Sequence, residues 1–116
     1  MYKVVKKSQA STRIINENKK AVNYITKDIS KYLSFALLEA TDCQEEEKTL
    51  YNRIYFALEG SLVLTFGEEV ETLEIGDSCY IEMDTSYTIT GTFKAAVINQ
   101  PAFGTKQTFF TSSNSV

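Results

Sequence analysis

The chain has 116 residues, 43% of them hydrophobic and 23% charged, the proportions of one soluble globular domain. A net charge of −3 with no histidine argues against nucleic acid, which selects a basic footprint, and the short basic runs Lys3, Lys6, Lys7 and Lys19, Lys20 read as solvated surface charge. The start MYKVVKKSQ lacks an apolar core and no stretch approaches membrane-spanning length, so a cytoplasmic chain without a membrane partner is expected.

In chain order, Tyr2, Val4 and Val5 suggest a short opening strand, and residues 12–16 (TRIIN) a second, closed by the turn-prone ENKK. A strand over Ala21 to Thr26 follows, and after the polar TKDIS another over Tyr32 to Ala40. Ile29, Leu33, Ala36, Leu37 and Ala40 also stand at helical spacing, so a helix over 28–40 is the rival there. From residue 51 the runs YNRIYFALEG, SLVLTFG, VETLEIGD, SCYIEM, SYTITG, KAAVINQ and KQTFFT are rich in β-branched and aromatic residues. Gly60, Gly67, Gly76 and Gly91 punctuate them, which predicts an all-β sandwich or barrel. Residues 111–116 (TSSNSV) read as a polar tail. Cys43 and Cys79, 36 positions apart, lack the paired spacing of a zinc or redox motif and are expected as free thiols.

The runs YFALEGSLVL and LEIGDSCYIEMDTSYTI, with 15 residues between Gly60 and Gly76, resemble the cupin superfamily over about residues 33–103. The resemblance implies a jelly-roll barrel carrying two motifs, G-x5-H-x-H-x3–4-E-x6-G and G-x5-P-x-G-x2-H-x3-N, whose histidines and glutamate bind a transition metal. Here the ligand residues are gone. The glutamate position is Arg53, and the two histidine positions fall at Glu46 and Lys48, or at Glu47 and Thr49, depending on loop length. In the second motif the proline, glycine, histidine and asparagine positions are Glu82, Asp84, Tyr87 and Gly91. Lys and Arg repel a cation, so no transition metal and no other cofactor is expected. The departures are also similar to a subgroup of short cupins with degraded metal motifs, the ethanolamine-utilisation type.

Strand alternation places Tyr55 and Ala57 on the face of Arg53, and Ile54, Phe56 and Leu58 on the other. Tyr87 points inward with Ile89 and Gly91, and Phe66, Tyr80 and Phe93 are candidate walls. The expected pocket is one guanidinium among tyrosines, suited to a carboxylate or phosphate. Otherwise Arg53 pairs with Glu59, Glu82 or Asp84 and the tyrosines are core. The run Glu45-Glu46-Glu47 reads as a solvated loop, with a hard-cation site shared with Glu82 and Asp84 as the alternative. Acid–base chemistry would fall to Tyr87, Tyr55, Glu82 or Lys48, with Arg53 lowering the pKa of a tyrosine. The leading expectation is a metal-independent cupin that binds a small anionic metabolite as a sensor or accessory protein. The alternatives are a metal-free sugar isomerase or epimerase, and a structural module. A homodimer through an outer sheet face is expected from the family.

Overall fold

The computed structural model describes residues 1–104; the predicted strand KQTFFT and the tail 111–116 lie outside the described residues. Seven strands follow a short 3-10 turn at Lys7–Gln9: β1 (Ser11–Asn16), β2 (Lys19–Ile25), β3 (Ser34–Glu47), β4 (Asn52–Phe66), β5 (Glu69–Leu73), β6 (Ser78–Ile81) and β7 (Tyr87–Gln100). They pair antiparallel in the order β1-β2-β3-β7-β4-β5, with β6 also on β4. The architecture is all-β, a cupin-type jelly roll whose strand path is open at β1 and β5.

Three long strands shape it, and each bends at its middle. Between β3 and β7 the register slips at Ala40/Cys43, where Asp42 takes φ 50°. Between β4 and β7 it slips at Ala57/Glu59. A bulge adds one residue to a strand, so the side chains beyond it exchange faces. In β3 the inward set changes from Ser34, Leu38 and Ala40 to Cys43, Glu45 and Glu47; in β4 it changes from Arg53, Tyr55 and Ala57 to Leu62 and Leu64. Both halves of each strand then line one core, in which Leu38, Tyr55, Leu62, Leu64, Ile89 and Val97 meet.

The bend also needs two glycines. Gly60 (φ 69°) lies opposite Phe93, and Gly91 (φ 131°) opposite Leu62. A Cβ on Gly60 would run into the Thr92 carbonyl oxygen, and one on Gly91 would stand 2.6 Å from the Ser61 carbonyl oxygen. Each strand crosses the other where a side chain is missing.

Several sequence expectations change. Residues 51–60 with 61–67, and 86–91 with 94–100, form two continuous strands rather than four, because Gly60 and Gly91 bend the chain without ending it. The helix over 28–40 does not form; from Ser34 the chain is strand, paired to β2 on one side and β7 on the other. Tyr2, Val4 and Val5 form no strand. Glu45–Glu47 is the end of β3, not a loop. Lys20 is exposed as expected, but Lys19 is only 3% exposed.

Candidate functional site

Of the positions that the cupin pattern offers for metal ligands, Glu47, Thr49, Arg53 and Tyr87 are buried, whereas Glu46 is exposed and Lys48 half-buried. Glu47 ends β3, Thr49 lies in the connection to β4, Arg53 stands at the start of β4 and Tyr87 at the start of β7. Arg53 is paired in register with Asn99 on β7 and Ile81 on β6, which fixes it in the middle of the sheet.

The guanidinium of Arg53, 1% exposed, is enclosed by acceptors. Its Nη1 donates to Glu47 Oε1 at 2.8 Å and its Nε to Asn99 Oδ1 at 2.7 Å. The same nitrogen, Nη1, lies 3.3 Å from Tyr55 Oη and 3.2 Å from Tyr87 Oη. Tyr87 donates to Glu47 Oε1 at 2.9 Å, which leaves Tyr55 as the donor in the 2.8 Å contact between the two phenols. The second oxygen of Glu47 accepts from Lys19 Nζ at 3.2 Å. Lys19 also meets Glu45 Oε1, and Asn16 Nδ2 donates to Glu45 Oε2 at 2.7 Å. A charge can be buried this deeply only when it is paired and hydrogen-bonded. That condition is met, since no buried side-chain nitrogen or oxygen among the described residues lacks a partner.

The electrostatics follow from this enclosure. Burial opposes the charge on Arg53, but Tyr87, Tyr55 and Glu47 outweigh it and hold its pKa above the ordinary value. Burial raises Tyr55, and Glu47 and Tyr87 push it further. Burial raises Tyr87 as well, and the opposing effect of Arg53 is too small to reverse it. Both phenols are therefore protonated at neutral pH. A tyrosine made basic by Arg53 is not what the geometry provides: desolvation wins over the adjacent cation.

Of the expected site residues, Arg53, Tyr55 and Tyr87 come together, and Phe66 stands against Tyr87 with ring centres 5.9 Å apart. Tyr80 does not join them. It pairs with Ile54, on the outward parity of β4, and is 59% exposed. Phe93 packs in the core at the bend, opposite Ala40 and Gly60, and also lines an open groove of about 600 Å³ with Lys19, Lys20, Glu39, Glu59 and Lys94. Glu82 and Asp84 are exposed on the turn before β7, and Arg53 pairs with neither of them, nor with Glu59, but with Glu47. Among the described residues no three His, Cys, Asp or Glu side chains gather as a metal site. Cys43 and Cys79 are free thiols; burial pushes Cys43 up to about 11.

Sequence reasoning missed Lys19, Asn99 and Asn16. For Asn99 the signal existed, since it shares the inward parity of Ala95 and Val97. Lys19 has no such signal: nothing local separates it from Lys20.

No protein-family model and no curated protein sequence matches the chain. Solved structures do. A Streptomyces β-barrel nucleoside dehydratase superposes with a TM-score of 0.80 over 99% of this chain and 95% of its own, at 11% identity. The Clostridium difficile EutQ protein gives 0.71 over 86% and 75%, at 15% identity. A putative ethanolamine utilization protein Q from Salmonella typhimurium gives 0.65 over 72% and 70%, at 18% identity. These chains share the cupin fold with this one, which is a small cupin-fold protein.

Proposed function

We propose that the chain is a metal-independent cupin-fold protein that binds a small anionic metabolite, acting in the cytoplasm as a sensor or accessory protein. One observation carries the reading. Where the family pattern sets three imidazoles and a carboxylate around a cation, this chain sets Glu47, Tyr55 and Tyr87 around Arg53, and the guanidinium holds the centre. This donor set does not fit a transition metal: Arg53 and Lys19 offer no lone pair and repel a divalent ion. The Streptomyces relative, solved with uridine, supports a small organic ligand in such a barrel. Because Glu47 already answers Arg53, the charge of an anionic ligand must be met elsewhere on the inner face.

Native mass spectrometry with metal analysis on the same purified sample tests this reading. A metal-free protein carrying a co-purified small anion supports it; a stoichiometric metal overturns it.

A second reading is a metal-free isomerase or epimerase acting on a sugar derivative. The line Tyr55–Tyr87–Glu47 favours it, as does the relative's solution with uridine in two variants that exchange a tyrosine for phenylalanine. In that case the phenols donate protons and Glu47 receives one. Turnover that survives Tyr87→Phe would exclude this role.

The protein is further proposed to form a homodimer through the outer sheet face. Ile54 and Phe56 point outward there, in register with Ile98 and Ala96, which pair in turn with Phe35 and Leu37, and Tyr80 flanks Ile54. A continuous apolar face of this kind marks an association surface on a soluble domain.

A further inference from the structure

Arg13 on β1 stands opposite Ala21 of β2, which is fully buried, so the two side chains share the inner face. Its guanidinium carbon stands 4.7 Å from the centre of the Phe103 ring. Phe103 is itself held against Tyr51, with ring centres 5.6 Å apart. Phe103 N donates to Ser34 Oγ at 2.9 Å and Gly104 N to Tyr51 Oη at 2.8 Å, so this aromatic shelf is fixed from two sides. Arg13 is half-buried, and among the described residues no carboxylate pairs with it; the ion pairs there belong to Lys19, Lys20 and Arg53. Burial and then the charge of Arg53 lower its pKa.

The charges on the inner face do not cancel. Among the described residues, the buried or half-buried charges that the strands turn inward are Arg13, Lys19 and Arg53 against Glu45 and Glu47, one positive charge in excess. Glu47 and Glu45 are already shared by Lys19, Arg53 and Asn16, so the excess resides at Arg13.

We infer that Arg13, backed by the Phe103 ring, recognises the carboxylate of a small organic monoacid. This rests on the anion-binding reading above and names its ligand class and its recognition residue. With one face of the guanidinium covered by the ring, the edge remains for two parallel hydrogen bonds, the geometry that a carboxylate accepts. A single negative charge balances the inner face, whereas a phosphate dianion overshoots it. The stacked ring also suits a ligand whose body is flat and apolar.

The test is a nitrogen-15 NMR titration of the full chain with benzoate and, separately, with inorganic phosphate. Benzoate is expected to give saturable shifts at the Arg13 side-chain Nε–H and at the Ile15 and Phe103 amides, and to bind more tightly than phosphate. Arg13→Gln should weaken benzoate about tenfold or more while the spectrum stays dispersed, since a charge-assisted pair is lost. Arg13→Lys, which keeps the charge without the fork, should fall between. Benzoate binding unchanged in Arg13→Gln, with shifts gathered at Tyr55 and Tyr87, would overturn the role of Arg13 and leave the anion reading standing. Phosphate binding more tightly than benzoate would overturn the monoacid. If neither anion gives a saturable shift and the co-purified ligand is neutral or cationic, both readings fail.

Discussion

Arg53 Nη1 and Glu47 Oε1 meet at 2.8 Å with both side chains 1% exposed, and the rest of the cluster is arranged around that pair. Tyr87 reaches the same carboxylate oxygen, and Lys19 takes the other. The pair is a joint that neither partner can leave alone. Glu47→Gln is expected to destabilise the fold by about 3–5 kcal/mol, because it strands Arg53 as a buried cation and leaves Lys19 with Glu45 alone. Replacing both partners with apolar residues, as in Glu47→Leu with Arg53→Met, should cost clearly less than the sum of the single changes. Urea denaturation of the singles and the double checks this; additive losses would mean that the two groups do not depend on each other.

The buried phenols predict a specific alkaline limb of stability. Folded Tyr55 and Tyr87 have raised pKa values, so the unfolded chain loses those protons first. Their contribution is then fully present below the unfolded pKa of about 10 and is lost as pH rises above it. Cys43, raised to about 11, adds to the same limb with the same sign. Unfolding free energy measured between neutral pH and about pH 11 should be flat at first and then fall. The fall should be shallower in Tyr55→Phe with Tyr87→Phe, and an equal slope in that variant would refute the assignment.

At the crossing of β4 and β7, Gly91→Ala would set a methyl group 2.6 Å from the Ser61 carbonyl oxygen, at φ 131°. The backbone conformation alone costs about 1–3 kcal/mol, and the clash adds to it. By contrast, Gly67→Ala at the β4–β5 turn meets nothing within 4 Å and should carry only its φ penalty. Thermal melts of the two variants should rank them clearly, with Gly91→Ala the lower.

Phe56, 41% exposed on the outer face of β4, is expected to report association. Phe56→Glu should convert a dimer to a monomer in size-exclusion chromatography with light scattering, without altering the NMR signature of the inner cluster. A wild-type monomer at high concentration would dispose of the dimer.

Much of the fold was legible because alternation and turn chemistry agreed from residue 51 onward. The pattern Arg53-Ile54-Tyr55-Phe56-Ala57 sorts its side chains to the two faces as period two requires. Glu47 was harder. It faces inward only because the bulge near Asp42 exchanges the faces of β3, and a bulge leaves no mark in the pattern of an acidic run. Arg13 and Lys19 were invisible for another reason. They belong to the amino-terminal hairpin, outside the stretch that resembles cupins, and their inward placement is set by the docking of β2 on β3, which Lys19 makes directly and Arg13 through Ala21. Tyr80 erred in the opposite sense: an aromatic residue beside the site in sequence sits on the wrong parity to enter it.

The paired glycines have a consequence for how kin of this chain are to be found. The chain has no histidine, and the solved structures compared above share its fold at only 11–18% identity. The crossing itself is less free to drift. Gly60 leaves free the room that the Thr92 carbonyl takes, and Gly91 the room that the Ser61 carbonyl takes, so any sequence that keeps this corner must leave both places bare. Two vacant side-chain positions, set diagonally across β4 and β7, are thus a steric signature that does not depend on the chemistry of the interior.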